Sequence, residues 1–543
     1  MSLLATTVLH AASCGKNAAV GNPNACSDLN WLDTGNNAWQ LTAATFVGLM
    51  SIPALALLYA GLVPRKWVVN TMYMAFTGFA TVLIVWVLWG YKMGFGSPIG
   101  GGTANNWNYH YTGNFFANFF NNFVGHPETA LRGSSQISQA SLTANGGTFV
   151  PLMMSTSALF YFQFVFAAIT PLLFLGSVLG RIKFTVWLIF VPMWCTFVYT
   201  VNAMLIWGGG YWAHEGALDY SGGYVIHLAA GTSGFVAAAV IGPRLARDRA
   251  KFVPHNLPFV SIGAGILWLG WNGFNGGDPY YAGASAAAAV INTNLATATG
   301  VLVWIALDAW FTKEKKPTFL GAVNGMICGL VGITPCAGWV NGRGAIAIGA
   351  ICCAIVWVAW NFLSKVRPFS KVDDALGVVY THGMAGLFGG LLLGIFGDPN
   401  LIQYGCGHLD ASGQVIATTQ SQYVTAAGHC VPFSVSGLIY APHSAHQLWE
   451  QARAAVWVIL WSALVTFILM KIIGWVLRGA RYKDEVLEVG DLAIHGEEAF
   501  PMETFAERVG AMAMVGDSSP SPSSSSAPPV KPDDGSPPGS AGS

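Results

Sequence analysis

Charge is what this sequence has least of. Only 9% of its 543 residues are Asp, Glu, Lys or Arg, against about 25% in soluble domains. So little charge cannot solvate a globular surface, and with 53% hydrophobic residues and mean hydropathy +0.50 the chain belongs in a bilayer. An excess of either sign is also missing, because 25 basic residues balance 25 acidic ones, so nothing suggests a nucleic-acid partner. There is no CxxC and no Cys/His cluster with metal-ligand spacing, and no nucleophile–base pair survives the topology described below. The expectation is a protein without metal or cofactor that is not an enzyme. The outer loops contain no N-x-S/T acceptor.

What is abundant fits that reading. The 65 glycines allow close helix–helix approach, and the 21 Trp and 17 Tyr suit interfacial belts. With about 20 apolar residues per span, the expected spans are 38–62, 69–93, 153–178, 184–206, 223–242, 257–275, 284–310, 318–337, 342–363, 374–396 and 452–477. Most basic residues fall in alternate connections, among them Arg65, Lys66, Arg181, Lys183, Arg244, Arg247, Lys313, Lys365 and Arg367, and again after the last span at Arg478 and Arg481. Basic excess marks the cytoplasmic side, which puts the N-terminus outside and the C-terminus inside. The apolar run from Leu3 to Ala12 lacks the preceding positive charge of a signal peptide, and the topology does not depend on its cleavage.

These spans divide the chain into an extracellular segment 1–37, a membrane domain 38–478, a cytoplasmic tail 479–510 and a Ser/Pro-rich run 511–543 too polar to bury a core. The expected outer loops, about 94–152 and 397–451, are rich in Asn, Gly, Ser and Thr. Cys14, Cys26, Cys406 and Cys430 fall outside, where an oxidising environment permits the disulfides Cys14–Cys26 and Cys406–Cys430, although the sequence leaves the pairing open. The other five cysteines lie in spans as small apolar fillers.

The chemistry-bearing pattern is an acid eight residues before a mid-span histidine. It occurs as Asp219 and His227, and again as Asp374 and His382. Ionisable residues at membrane depth are costly and usually face a pathway. The ordinary reading of Asp219 is a helix N-cap, and of each histidine a satisfied core residue. Two matching pairs in different halves instead suggest a path built from related halves, in which imidazoles donate, accept or relay protons. Gly231, Gly234, Gly383 and Gly386 would let those helices meet. Phe162 and Phe166, one turn apart, Phe274, and Trp207 at a span end are packing or belt residues by default, or π-faces for a cation.

Taken in order, NAWQLTAATFVGLMSIPALALLYAGLV, YFQFVFAAIT with GSVLGRIKF, IWGGGYWAHEGALDYSGGYVIH, GWNGFNGG, GLVGITPCAG, KVDDALGVVYTHGMAG and DLAIHGEEAF resemble the ammonium transporter family (Amt/Mep/Rh), the Amt/Mep branch above all, over roughly residues 36–500. The resemblance implies an all-α membrane fold of eleven transmembrane helices, made of two inverted five-helix repeats and a final helix, N-out and C-in. It also implies a pore in each subunit of a homotrimer and a plasma-membrane location. Phe166, Trp207 and Asp219 would form an external recruitment site. Phe166 and Phe274 would close the pore, and His227 and His382 would line it, supported by Asp374 and Thr334. Asp278 stands where the family often has a serine that accepts a hydrogen bond from ammonium. The tail residues His495, Gly496 and Glu497 match a regulatory segment on which a cytoplasmic regulator or kinase would act. The implied activity is capture and deprotonation of ammonium with passage of ammonia; the alternatives are an ammonium sensor and an Rh-like neutral NH3/CO2 channel. The expected partners are ammonium or ammonia and membrane lipid.

Overall fold

With no water at hand, a spanning segment must pair its own N–H and C=O groups, so apolar runs of this length become helices. The computed structural model describes residues 32–101, 114–144, 148–250, 253–401 and 435–501. The first helices are α1 (Thr34–Leu62) and α2 (Arg65–Phe95). A short helix α3 (Phe115–Asn121) and an antiparallel strand pair, β1 (Gln139–Ala144) with β2 (Thr148–Ser155), come next. Then follow α4 (Thr156–Val178), α5 (Phe184–Glu215), α6 (Gly223–Ile241), α7 (Leu257–Gly276) and α8 (Ala284–Phe311). The membrane part closes with α9 (Phe319–Ile333), α10 (Gly342–Lys365), α11 (Val379–Phe396) and α12 (His446–Val476). Two short tail helices, α13 (Asp484–Val489) and α14 (Asp491–His495), complete the described chain.

Among the described residues ten helices are long and apolar enough to span a bilayer. The expected eighth span, 318–337, differs: α9 has 15 residues and ends at Ile333, where Thr334 and Pro335 turn the chain. Proline two residues on cannot donate to a continuing ladder. The tenth span starts later than expected because 374–377 is a non-helical cap. The four outer cysteines, Cys14, Cys26, Cys406 and Cys430, lie outside the described residues.

The helices are sorted by how much of themselves they bury. In α4, 94% of the apolar window is inside the protein, against 33% in α8 and 39% in α12. The outer helices therefore present bare apolar side chains, including Leu269, Leu302 and Leu460, each more than 60% exposed. In water such a surface would be unfavourable; against acyl chains it is not.

One face, called lower here, gathers the basic connections and the tail. Arg181 is wholly buried and donates to the carbonyls of Ser177 and Gly242 at 2.8 and 3.0 Å. Arg244 grips Asp373 through both backbone and guanidinium. The tail packs beneath α2: Asp491 accepts from the N–H groups of Val69 and Asn70 at 2.7 and 2.9 Å, capping that helix, and His495 bonds the Asn70 side chain. Gly490 is needed there, since its φ is +79° and an added Cβ would lie 2.2 Å from the Lys66 carbonyl oxygen.

Candidate functional site

Each half builds its histidine the same way. Asp219 Oδ1 accepts from the N–H groups of Gly222 and Gly223 (3.0 and 2.6 Å), and Oδ2 from Tyr224 and Val225 (2.9 Å each). Four orphan donors at the head of α6 are thereby satisfied by one carboxylate. Burial pushes this carboxyl up to about 6, with the four N–H bonds pulling against it, so it is ionised at neutral pH. α6 opens on a π-turn, Gly223–Leu228, that carries His227. In the other half Asp374 Oδ2 accepts from Val379 N–H at 2.8 Å, and α11 opens on a π-turn, Val379–Met384, that carries His382. π-turns are rare and concentrate at functional sites. Here they re-aim both imidazoles towards one another.

The helices cross on glycine. A Cβ on Gly231 would sit 2.3 Å from Gly383, and one on Gly386 would lie 2.5 Å from the Gly223 carbonyl oxygen and 3.0 Å from His227 Cβ. Three of the four expected glycines therefore serve this crossing. Gly234 does not: it faces Ser177 and Phe174 of α4.

The result is a histidine pair, Nδ1 to Nδ1 at 3.2 Å, with ring centroids 5.3 Å apart and planes 20° off parallel. A hydrogen bond between two Nδ1 atoms contains one proton. One neutral ring therefore keeps a bare Nε2 acceptor and the other an Nε2–H donor. His227 is fully buried, and its Nε2 has no hydrogen-bond partner among the described residues. It stacks on Trp271 at 5.3 Å, and Trp271 is fixed by its indole N–H donating to Thr334 Oγ1 at 2.9 Å. Thr334 is thus placed as a support, and Trp271 is a site residue the sequence reading missed. Its signal was position, one helical turn before Phe274 on α7.

Above the pair the rings of Phe166, Phe274 and Trp207 pack together. Phe166 and Phe274 stack at 4.3 Å, and Trp207 meets Phe166 edge-on at 6.2 Å. The Trp207 indole N–H donates to the Asp219 carbonyl at 2.7 Å, which fixes the ring over the entrance. Below the pair the path opens. His382 lines a cavity of about 40 Å³ with Tyr59, Asn324 and Thr381. Leu62, Leu320, Asn324 and Leu376 belong both to it and to a chamber of about 790 Å³ beside Asp308, Lys316 and Asp374 on the lower face.

Asp278 is brought to the gate, though not as an open charge. It is 7% exposed and meets Ser221 Oγ, which also lies 2.8 Å from the carbonyl oxygen of Phe274. A hydroxyl has one hydrogen to give. Ser221 Oγ is placed to donate to Asp278 Oδ2 or to the Phe274 carbonyl, and a proton on Asp278 directed at Ser221 would let both contacts hold at once. Burial pushes the Asp278 carboxyl well above the usual carboxylate range, and the nearby Asp219 charge pushes the same way. Tyr280 also hydrogen-bonds Asp278, and Gln163 Nε2 donates to the Tyr280 hydroxyl at 2.7 Å. Tyr280 holds a left-handed φ of +55°, a conformation side chains rarely adopt without such anchoring. Ser221, Tyr280 and Gln163 had no sequence signal. His495 sits on the lower face with the tail, remote from the pair.

Comparison with known proteins accords with this geometry. The model of the Ammonium Transporter Family matches residues 38–500. Ammonium transporter 3 member 2 of Oryza sativa subsp. japonica is 42% identical over 492 residues, covering 89% of this chain and 92% of the rice protein. Ammonium transporter 2 of Arabidopsis thaliana is 41% identical over 482 residues, 87% of this chain and 89% of that one. The crystal structure of Saccharomyces cerevisiae Mep2 superposes with a TM-score of 0.65 at 27% identity, covering 84% of this chain and 89% of Mep2.

Proposed function

Because the chain belongs to the ammonium transporter family, a family of transporters and not enzymes, we propose that it captures NH4+ beside Trp207, that the ion gives up one proton at the Phe166–Phe274 gate, either to outer water or onto the His227–His382 pair, and that NH3 passes those two histidines. The observation that carries this is the coupled imidazole pair between a closed aromatic gate and an open chamber. Moving a bare cation into such a site is strongly unfavourable, whereas neutral NH3 can accept from one Nε2–H and donate to the other Nε2.

Capture draws on the π-face of Trp207 and the field of the ionised Asp219. K+ is close to NH4+ in size, so selectivity arises because only ammonium can surrender a proton. Asp278 is buried against Ser221 and not open to the capture site; together they fix the Phe274 carbonyl at the gate. Asp374 and Thr334 hold His382 and Trp271 in place.

The same reading puts Trp207 outside and the basic lower face in the cytoplasm of a plasma-membrane homotrimer, with eleven spans if α9 is counted. Segment 479–510, through His495, Gly496 and Glu497, is then a regulatory tail open to a cytoplasmic regulator or kinase, and 511–543 its extension. The test is ammonium uptake and current in a voltage-clamped cell, with K+ as the control. Uptake specific to ammonium and lost in His227→Ala supports the reading. An inward current means the proton crosses separately, and silent uptake means net NH3 conduction. Absence of both overturns it.

A further inference from the structure

Helix α3 is turned inside out for a segment in water. Phe115, Phe116 and Phe120 are 49, 68 and 62% exposed, while Asn122 at its end is wholly buried and donates to the Asn118 carbonyl at 2.8 Å. No charged residue occurs from Asn114 to Gly125. So short a helix is marginal in water by itself, and three bare phenylalanines there would forgo a large transfer free energy.

What holds α3 is a ladder of rings on the membrane helix α12. Phe119 packs on Trp457 at 4.8 Å and Phe123 on Trp461 at 5.1 Å, and the two tryptophans stack on each other at 5.3 Å. Their depth can be read from α12. Arg453, ion-paired with Glu450 and Glu215, is the last charge before Lys471. The uncharged stretch between them is about 26 Å long at 1.5 Å per residue, close to the hydrocarbon thickness of a bilayer. Trp457 therefore sits one turn inside the boundary, where aromatic belts lie. Beside it on α12 runs the outward row Val456, Leu460 and Leu464, each more than half exposed and facing acyl chains.

We propose that α3 is an interfacial foot: Phe116 and Phe120 continue the lipid-facing row of α12 and insert into the headgroup–acyl boundary of the upper leaflet, with glycerophospholipid as the occupant. The foot is tied to the entrance. Phe115 and Phe119 both contact Tyr211 at 5.4 Å, in the last helical turn of α5 between Trp207 and Asp219, so lipid contact braces the segment that joins them. The inference needs only a membrane-spanning chain and stands whether or not ammonium is the substrate.

The test places the photoreactive analogue p-benzoylphenylalanine at Phe116 or Phe120, with Leu460 as the lipid-facing reference, in the full chain reconstituted in phosphatidylcholine vesicles. After irradiation, mass spectrometry is expected to find phosphatidylcholine adducts at 116 and 120 at yields comparable with 460. Chain-to-chain cross-links at 116 and 120 would overturn the proposal in favour of a protein interface. Labelling at 460 with none at 116 or 120 would overturn it in favour of a solvated loop. All three positions are exposed, so none of the substitutions disturbs packing.

Discussion

The Asp219–His227 half and the Asp374–His382 half use one device under opposite conditions. In both, an acid caps a helix whose first turn is a π-turn carrying a histidine. In the first, four N–H groups converge on Asp219 and the histidine is sealed between Trp271, Phe274 and its twin. In the second, Asp374 Oδ2 takes the Val379 N–H at 2.8 Å, with the Val378 N–H and Ser177 as weaker partners, and the imidazole borders a cavity that leads to a chamber of about 790 Å³. A repeated backbone device therefore fixes where the imidazoles sit, while the surrounding helices decide which of them water can reach.

The sharpest way to break that comparison is to remove the acids. Each buried N–H left unpaired costs about 1–3 kcal/mol, so Asp219→Ala, orphaning four, is expected to abolish the folded protein, read as loss of a monodisperse peak in detergent. Asp374→Ala should fold, with its melting temperature lowered by a few degrees, equivalent to about 1–3 kcal/mol. Equal behaviour of the two would refute the asymmetry.

Removing the histidines should show the same order in transport. His227 has no alternative partner on its sealed side, so the loss of about 3 kcal/mol of polar contact in His227→Ala lowers uptake roughly 100-fold. On the open side a water can replace the lost group, and His382→Ala is expected to lower uptake only about tenfold. Initial rates of labelled ammonium or methylammonium uptake, at matched expression, decide the ranking.

Asp278 allows a finer test. If it serves as a neutral donor to Ser221, Asp278→Asn keeps that bond and transport stays near wild type. Asp278→Ala removes it and should lower the rate by the equivalent of about 1–2 kcal/mol. A strong loss in the amide variant would mean that negative charge at 278 is required.

The smallest effect concerns the tail, outside both halves. Burial raises the Asp491 carboxyl from 3.8 to about 7, outweighing its two backbone bonds, and the charge of Glu498 adds to the rise. An acid whose docked value is raised stabilises docking most below its free value, and that contribution is lost as pH rises through about 7. Hydrogen exchange in 484–495 should therefore be slower at pH 6 than at pH 8. In Asp491→Asn this difference should vanish or reverse, because burial lowers His495, which favours docking in its neutral form at the higher pH.

Much of this was legible because it depends on local rules. Apolar length predicted the spans, and Asp219 ahead of an apolar run predicted its capped helix, since a carboxylate and the N–H groups it serves are neighbours in sequence; the D-x7-H repeat marked the two related histidines. Phe166, Trp207 and Phe274 came from motif resemblance, and the structure brings them together. The failures share one cause. Trp271 under His227, Ser221 between Asp278 and Phe274, and Gly234 against α4 are contacts between segments tens of residues apart, and no periodicity records them. The early end of α9 had a local signal, Thr334 followed by Pro335, which apolarity alone passed over.

The sequence by itself determined that this chain lives in a membrane, where most of its helices run and which ionisable residues lie at membrane depth, because hydropathy, capping and residue chemistry are properties of short stretches. Only the tertiary structure decided that Asp278 is buried against Ser221, that His227 is sealed while its twin borders a cavity, and that α3 shows its rings to the outside. Those outcomes depend on what surrounds a group after distant helices have packed, and solvent access is a property of that packing.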